Sequence, residues 1–564
     1  MVKEILENII NNILKELGYE YESSVIKSNR PELCDFQCDD AFKLAKQYHK
    51  SPMIIGSEIV EKLKNIEDFE SYFKQVEFVN PGFINMTLSD KFINELIVKM
   101  NDEKYFGIKR PDIIKTFVLD YGGPNIAKPL HVGHMRTAVV GESIKRIINY
   151  MGHKTIADVH LGDYGLQIGQ VIYGILKDDK QKEDITLKYL EETYPKISSL
   201  CKENEEVLNE CALITKELQE GNSIYQELWK IILEISGNDI KRLYGYLDVS
   251  FDLWQGESDS YKYIKDVENI LNEKNLLKDS EGAKVVEVSE EDDTKELPPL
   301  LFQKSNGAYL YGTTDLATIY EREKRFNPDY ILYVVDNRQS LHFDQVFRVS
   351  KKSNLTNANL EFLGYGTVNG MDGKPYKTRS GAAPSLEYLF EQIKEIFVEK
   401  KEENKDMSDE DIDKIVNSIL KFADLQNNRD RDYIFDIQKF SNVIGKTGPY
   451  MQYTCVRINK ILEQENFENK LTTNIYNEVD RKLRIKILEL SDALNSSFEE
   501  RMPSYLVDYI YNLAVLTNTF YQNNHINGLE DIEKKNDWLY ILNLVNNILR
   551  EMLNLIMIDI PKFM

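Results

Sequence analysis

Apolar residues recur along this chain at two spacings, and the change from one to the other divides it. The opening, MVKEILENIINNILKELG, has the three-to-four residue period of an amphipathic helix with charges of both signs. After a polar stretch through Cys38 that period returns over residues 39–49 and 57–64, and shorter extended patterns at 75–78 and 83–87 predict two strands. Residues 1–110 therefore read as a small N-terminal α+β domain. From 111 to 385 strand and helix signals alternate: 116–120 (TFVLD), 155–159, 308–311, 330–335 and 360–363 are strand candidates, and a helical run from about 135 to 150 stops at Gly152. Alternation of this kind predicts a parallel sheet with helices on both faces, a Rossmann-type α/β fold. A helical and loop insertion over about 178–299 interrupts it. Beyond residue 386 nearly everything has helical period, read as a connecting segment over 386–435 and a C-terminal all-α bundle over 436–564. The charged stretch 400–413 is expected on the surface, and Gly445 to Pro449 should break the helices.

Charge changes this picture in one place. The formal net charge is -23 over 564 residues, which argues against a polyanionic partner. The excess is local, however: residues 178–299 hold 30 acidic against 15 basic side chains, whereas 121–177 hold 6 basic against 3 acidic. A polyanion can approach the remaining faces. Five scattered cysteines suit neither a disulfide framework nor a zinc site, and no leader or membrane-spanning run is expected, so a soluble intracellular protein is anticipated.

Candidate chemistry concentrates at the junction Pro124-Asn-Ile-Ala-Lys-Pro-Leu-His-Val-Gly-His134. It sits where the 116–120 strand is broken by Gly122, Gly123 and Pro124 and the next helix begins. The first amides of a helix lack internal partners and lie at the positive end of its dipole, so they bind phosphate oxygens, with Gly133 permitting close approach. His131 and His134 share a helix face and can each donate an N–H to a negative oxygen. By itself an HxGH tetrapeptide is as compatible with a plain helix start as with a phosphate site.

Three further groupings lie in the same region. His160, Gly162, Asp163, Gly165 and Gln167 follow the second strand, where open α/β sheets bind ligands, though an ordinary glycine turn would look the same. Tyr311, Asp315, Gln339 and His342 are expected at or just past the next two strand ends as a specificity pocket, with Asp315 equally able to cap a helix. Lys374, Lys377 and Arg379 lie in a glycine-flanked loop that suits a triphosphate or a solvated turn.

Together these residues resemble the arginyl-tRNA synthetases among the class I aminoacyl-tRNA synthetases. The resemblance runs through GPNIAKPLHVGH, HLGDYGLQIG, YGTTDLA, Arg338 to His342, GKPYKTRSG, NNRDRDYIFD and TGPYMQYTCVRI. It extends to Asn80-Pro-Gly-Phe-Ile-Asn85 in the N-terminal additional domain and to the closing Pro561 to Met564. The resemblance implies ATP-dependent ligation of L-arginine to tRNA(Arg) through an arginyl-adenylate. It implies ATP with Mg2+ as the substrate complex; the scattered cysteines and the lack of a long apolar run add no structural metal and no membrane partner, and a cytoplasmic monomer is expected. In that family's pattern His131, Gly133 and His134 meet ATP. Gly162, Asp163 and Gln167 shape the cleft, and Asn125, Tyr311, Asp315, Gln339 and Asp120 hold arginine. Adenylate formation is expected to need tRNA.

Two departures stand out. The family's second signature appears as Lys377-Thr378-Arg379-Ser380, without its second lysine, and Lys128 is implied to supply that charge beside Lys377. Asp120 and Gly122-Gly123 stand where relatives carry Glu and Ser-Ser. Another synthetase of the class is disfavoured because no cysteine lies beside the motifs. A binding-only paralogue would need none of His131, His134, Lys377 and Asp315, and a simple nucleotidyltransferase would not need two extra domains.

Overall fold

The structure, a computed structural model, describes residues 1–291, 293–376, 384–403 and 407–564, with backbone only at 399–403. Its contacts divide the chain into two compact units. One comprises Met1–Arg110, Met451–Ser497 and Tyr505–Leu553, and the other Pro111–Tyr450, Phe498–Ser504 and Asn554–Met564. Residues 386–450 thus cluster with the parallel sheet, and the N-terminal residues with the last helices.

In the first unit, α1 (Val2–Glu16) buries Leu6, Ile10, Ile13 and Leu14 along one stripe. Strands β1 (Val25–Lys27), β2 (Phe36–Cys38), β3 (Phe73–Val79) and β4 (Phe83–Leu88) form an antiparallel sheet in the order β1-β2-β4-β3. Helices α2 (Asp40–Tyr48), α3 (Pro52–Lys64) and α4 (Asp90–Asp102) complete the N-terminal part. The C-terminal part supplies helices Glu478–Leu488, Ser504–Asn523 and Ile532–Leu555, the first of which packs on α4.

The second unit is built on a parallel sheet. Strand β5 (Thr116–Tyr121) is buried along almost its whole length, as its apolar run requires when helices cover both faces. Helix α5 (Val132–Tyr150) and β6 (Lys154–Asp158) follow, with Val118 opposite Ile156. Helix α6 (Leu166–Lys177) leads into the insertion, which opens with α7 (Leu187–Glu203), α8 (Glu205–Gln219), α9 (Ser223–Tyr246) and the short α10 (Glu257–Ser260). Where loop is expected toward its end, β7 (Leu277–Ser280), β8 (Ala283–Val286) and β9 (Leu300–Gln303) make an antiparallel ribbon. The chain then runs through α11 (Tyr311–Phe326), β10 (Tyr330–Val334), α12 (Ser340–Ser353) and β11 (Asn359–Phe362).

The strand expected at 308–311 is corrected: only Tyr309 bridges, to Gln303, and Tyr311 already begins α11 because the Leu310 carbonyl accepts from the Thr313 and Thr314 amides. The sheet order β11-β10-β5-β6 makes β5 and β10 neighbours whose onward connections run to opposite edges. Ligands bind at such a switch point, beyond the carboxyl ends of the strands. Thr137 on α5 clamps it, accepting from the Gly122 amide (3.0 Å) and donating to the Val334 carbonyl (2.7 Å).

Candidate active site

At the start of α5 both histidines fold back onto backbone. Nδ1 of His131 accepts from the Gly133 amide (3.0 Å) and Nδ1 of His134 accepts from the His131 amide (3.2 Å), closing a capping box. The rings stack at 3.9 Å between centroids. A Cβ at residue 133 would lie 2.9 Å from His131 Cε1, so glycine is what lets the ring lie there. Burial first, then the Lys128 and Arg338 charges, lowers the pKa of His131. Burial likewise, with the His131 and Lys128 charges, pushes His134 down to about 3. Each ring is therefore neutral, and because its Nδ1 is an acceptor its proton is on Nε2. The result is two adjacent uncharged Nε2–H donors.

The loop before them is fastened to the loop after β6. Asn125 bridges Gly162, the Ile126 amide donates to the Gly162 carbonyl (3.0 Å) and the Gly162 amide to the Pro124 carbonyl (3.1 Å). Gln167 Nε2 donates to the Gly162 carbonyl (3.1 Å) and to Asn125 Oδ1 (3.4 Å). A Cβ on residue 162 would sit 2.3 Å from Asn125 Oδ1, which accounts for that glycine. Ala127 holds a left-handed φ of 65°, its amide donating to Ser236 Oγ (3.2 Å), and this turn sends Lys128 over the Tyr194 ring.

Around the strand ends lies a cluster of carboxylates. Asp315, in the first turns of α11, is 2.5 Å from His342 Nε2; burial opposes protonation of His342, but the Asp315 hydrogen bond and charge prevail and raise its pKa. Glu257, at the start of α10, packs near α11 and has no side-chain partner among the described residues. Burial, with Asp163 and Asp315 nearby, pushes its carboxyl up to about 8 against the opposing charge of His160. Tyr311 and Gln339 are both exposed, Tyr311 opening α11 and Gln339 preceding α12.

Two expected ligands are engaged elsewhere. Asp120 accepts from Arg322 Nη2 (2.6 Å), which also bonds Asp158 (2.8 Å), so its carboxylate is committed to a buried guanidinium. Asp163 accepts from the Ser258 amide (3.0 Å) and hydroxyl (2.6 Å), tying the loop after β6 to α10. Both placements have one cause, a buried carboxylate beside a stronger internal donor. Lys377 and Arg379 lie outside the described residues, while Lys374, at the neighbouring turn, is exposed.

Sequence reading missed Glu257, a lone acid after the insertion with no local pattern, and Arg136. Arg136, 0% exposed, donates to the Gly366 (2.6 Å), Arg429 (3.1 Å) and Arg431 (2.9 Å) carbonyls, joining α5 to the segments after β11. Its place two residues after His134, in a helix otherwise apolar on that face, was the available signal. His160 was read only as part of a turn. It sits at φ 42° with both ring nitrogens unpaired, Nδ1 3.7 Å from Asp158; burial opposes its charge, yet Asp158 and Asp120 hold its pKa up at about 9.

Comparison with known proteins places this geometry. Residues 95–437 match the model of the class I (R) tRNA synthetase catalytic domain, 451–564 that of the DALR anticodon binding domain, and 2–88 that of the arginyl tRNA synthetase N-terminal domain. The chain is 39% identical to the arginine–tRNA ligase of Alkaliphilus oremlandii, with all of both chains covered. To that of Agathobacter rectalis it is 38% identical, over 99% of this chain and 100% of the other. Among solved structures it is similar to arginyl-tRNA synthetase from Plasmodium falciparum, with a TM-score of 0.83, 25% identity, and 100% and 99% of the two chains covered. It shares the fold of the Thermus thermophilus arginyl-tRNA synthetase at a TM-score of 0.80 and 22% identity, with 100% of both chains covered.

Proposed function

The chain belongs to the arginyl-tRNA synthetase family, and from that premise we propose how this site attaches arginine to tRNA. The reaction is the ATP-dependent ligation of L-arginine to tRNA(Arg), with ATP taken as its magnesium complex. A carboxylate oxygen of arginine attacks the α-phosphorus, the bond to the β-phosphate oxygen breaks, and pyrophosphate leaves. The 2′-hydroxyl of the terminal tRNA adenosine then takes the arginyl group and AMP is released. The protein positions the reactants and stabilises phosphate charge, the main demand of such a displacement.

The observation that carries the assignment is the pair of Nε2–H donors on His131 and His134, fixed by backbone bonds to each Nδ1. They meet the phosphates without adding charge; Lys128, with Lys377 and Arg379, supplies it. Gly133 leaves room for the adenine. Asn125 and Gln339 orient the amino acid, and Asp315, Glu257 and Tyr311 take the guanidinium, whose planar fork suits a carboxylate. Asp120, held by Arg322, and Asp163, held by Ser258, position the pocket floor from one shell away. We take the chain to act as a monomer, because the catalytic, anticodon-binding and N-terminal regions occur together in one chain, and to work in the cytoplasm, where tRNA is used. No helix among the described residues is long and apolar enough to cross a membrane.

The test is arginine-dependent exchange between ATP and pyrophosphate, with and without tRNA(Arg), with lysine and canavanine as controls. Exchange is expected with arginine when tRNA is present, tRNA favouring the adenylate-competent cleft over the resting one. Exchange driven by lysine in place of arginine overturns the specificity. Asp315→Ala should lower kcat/KM for arginine by about 3 to 5 kcal/mol, roughly a hundred- to thousandfold or more, with little change in the KM for ATP. Arginine dependence that stays at the wild-type level would reject the role of Asp315.

A further inference from the structure

Within the histidine loop, Ala127 and Lys128 both meet the insertion. Ser236 of α9 accepts the amide of Ala127 (3.2 Å), the residue held at φ 65°. One residue on, the ammonium of Lys128 lies over the ring of Tyr194 from α7, 4.6 Å from its centroid. The Lys128 charge is felt at both His131 and His134, so the ammonium stays near the histidine pair while it rests on the ring. Tyr194 also neighbours Tyr311 in the pocket.

A lysine on a four-carbon stem samples many rotamers in water, and only some present it to a phosphate. An aromatic face beneath the ammonium narrows that choice by attraction to the ring quadrupole, yet brings no counter-charge. A carboxylate at the same place would hold the lysine equally well and cancel it. In a segment with twice as many acidic as basic side chains, the contact to Lys128 is aromatic.

We propose that Tyr194 is a positioning residue for adenylate formation, its ring holding the Lys128 ammonium beside His131 and His134. The inserted helices thereby take part in the first half-reaction. The inference rests on the reading of Lys128 as a phosphate-facing cation, and the experiment separates the two. In exchange assays with tRNA(Arg), Tyr194→Ala and Tyr194→Leu should lower kcat about three- to tenfold, the scale of one cation–π contact, with the arginine KM within about twofold of wild type. Tyr194→Phe, which keeps the ring, should restore wild-type turnover. Adding Tyr194→Leu to Lys128→Ala should cost less than about twofold beyond Lys128→Ala alone, because the ring then has nothing to hold. Wild-type exchange by Lys128→Ala would reject the reading of Lys128 and this inference with it. With Lys128→Ala slow, any of three results overturns the role of Tyr194 alone: a wild-type Tyr194→Leu, a Tyr194→Phe as slow as Tyr194→Ala, or losses that multiply in the double variant. Tyr194→Leu retains apolar bulk and serves where Tyr194→Ala disturbs α7.

Discussion

Each unit buries an arginine against carboxylates, and the two treat it differently. In the unit containing the N-terminal sheet, Arg484 is 0% exposed and gives Nε and Nη2 to Asp480 (2.6 and 3.2 Å) and Nη1 to Asn94 (2.7 Å). Asp480 also accepts from Trp538 Nε1 (3.2 Å) and the Tyr476 amide (3.1 Å). Nearby, Arg481 makes a two-pronged bond to Asp35 (2.8 and 2.8 Å). In the catalytic unit Arg322 gives Nη2 to both Asp120 and Asp158 and leaves buried Nε and Nη1 unpaired; His160 has two bare ring nitrogens, and Glu257, near Asp315, Asp163 and His160, has no side-chain partner among the described residues. A complete hydrogen-bond shell around buried charge marks architecture, since anything missing there costs stability with no return. An incomplete shell marks a place prepared for a charged ligand.

The contrast is broken most directly at Arg484. Arg484→Ala strands Asp480 and should lower unfolding free energy by about 3 to 5 kcal/mol in denaturant titration, while exchange activity per folded molecule at low temperature stays near wild type. In the other unit the order reverses. Lys128→Ala should leave the denaturation midpoint within about 0.5 kcal/mol and slow pyrophosphate exchange about tenfold to a hundredfold, with tRNA binding unchanged by filter retention. A stability loss at Lys128 as large as at Arg484 would erase the distinction.

Glu257 sharpens it by proton linkage. Its carboxyl is pushed up to about 8, so at neutral pH the free enzyme holds it protonated, and an entering guanidinium favours the ionised form. Arginine binding should therefore release a proton, and affinity should rise with pH, by up to about tenfold per unit, levelling off above about 8. Calorimetry in buffers of different ionisation enthalpy reads the proton directly, and Glu257→Gln should abolish both effects. His134 carries the same linkage into stability, since its pKa falls from 6.5 to about 3 on folding. Between those values the unfolded chain binds a proton that the folded chain refuses. Its contribution to stability is complete above pH 6.5 and declines as pH falls, by at most about 1.4 kcal/mol per unit, and His134→Gln should flatten that slope.

What could be read in advance followed from locality. Strands β5, β6, β10 and β11 announce themselves as short apolar runs, and the histidine pair with its glycine is contiguous, so strand, loop and helix follow from one stretch. The ribbon escaped because LKDS and AKVV carry too few apolar residues for a run or an alternation to stand out. Asp120 and Asp163 show the harder limit. A carboxylate beside a signature motif looks the same in sequence whether it faces a substrate or a buried arginine, and only the distant partners Arg322 and Ser258 decide. Glu257 escaped for the converse reason, since its neighbours Asp163 and Asp315 come from segments about 94 and 58 residues away.

The pairing of Asp35 with Arg481 and of Asn94 with Arg484 also sets a timetable for the ribosome. Residues 1–110 leave the exit tunnel first, but their partners begin at Met451, about 340 residues later. At about 5 to 20 residues per second the nascent chain carries an Asp35 without its guanidinium and an open α4 face for about 20 to 90 seconds, while the whole parallel sheet is made. An enzyme of translation thus depends on the pace of translation to finish its own first domain.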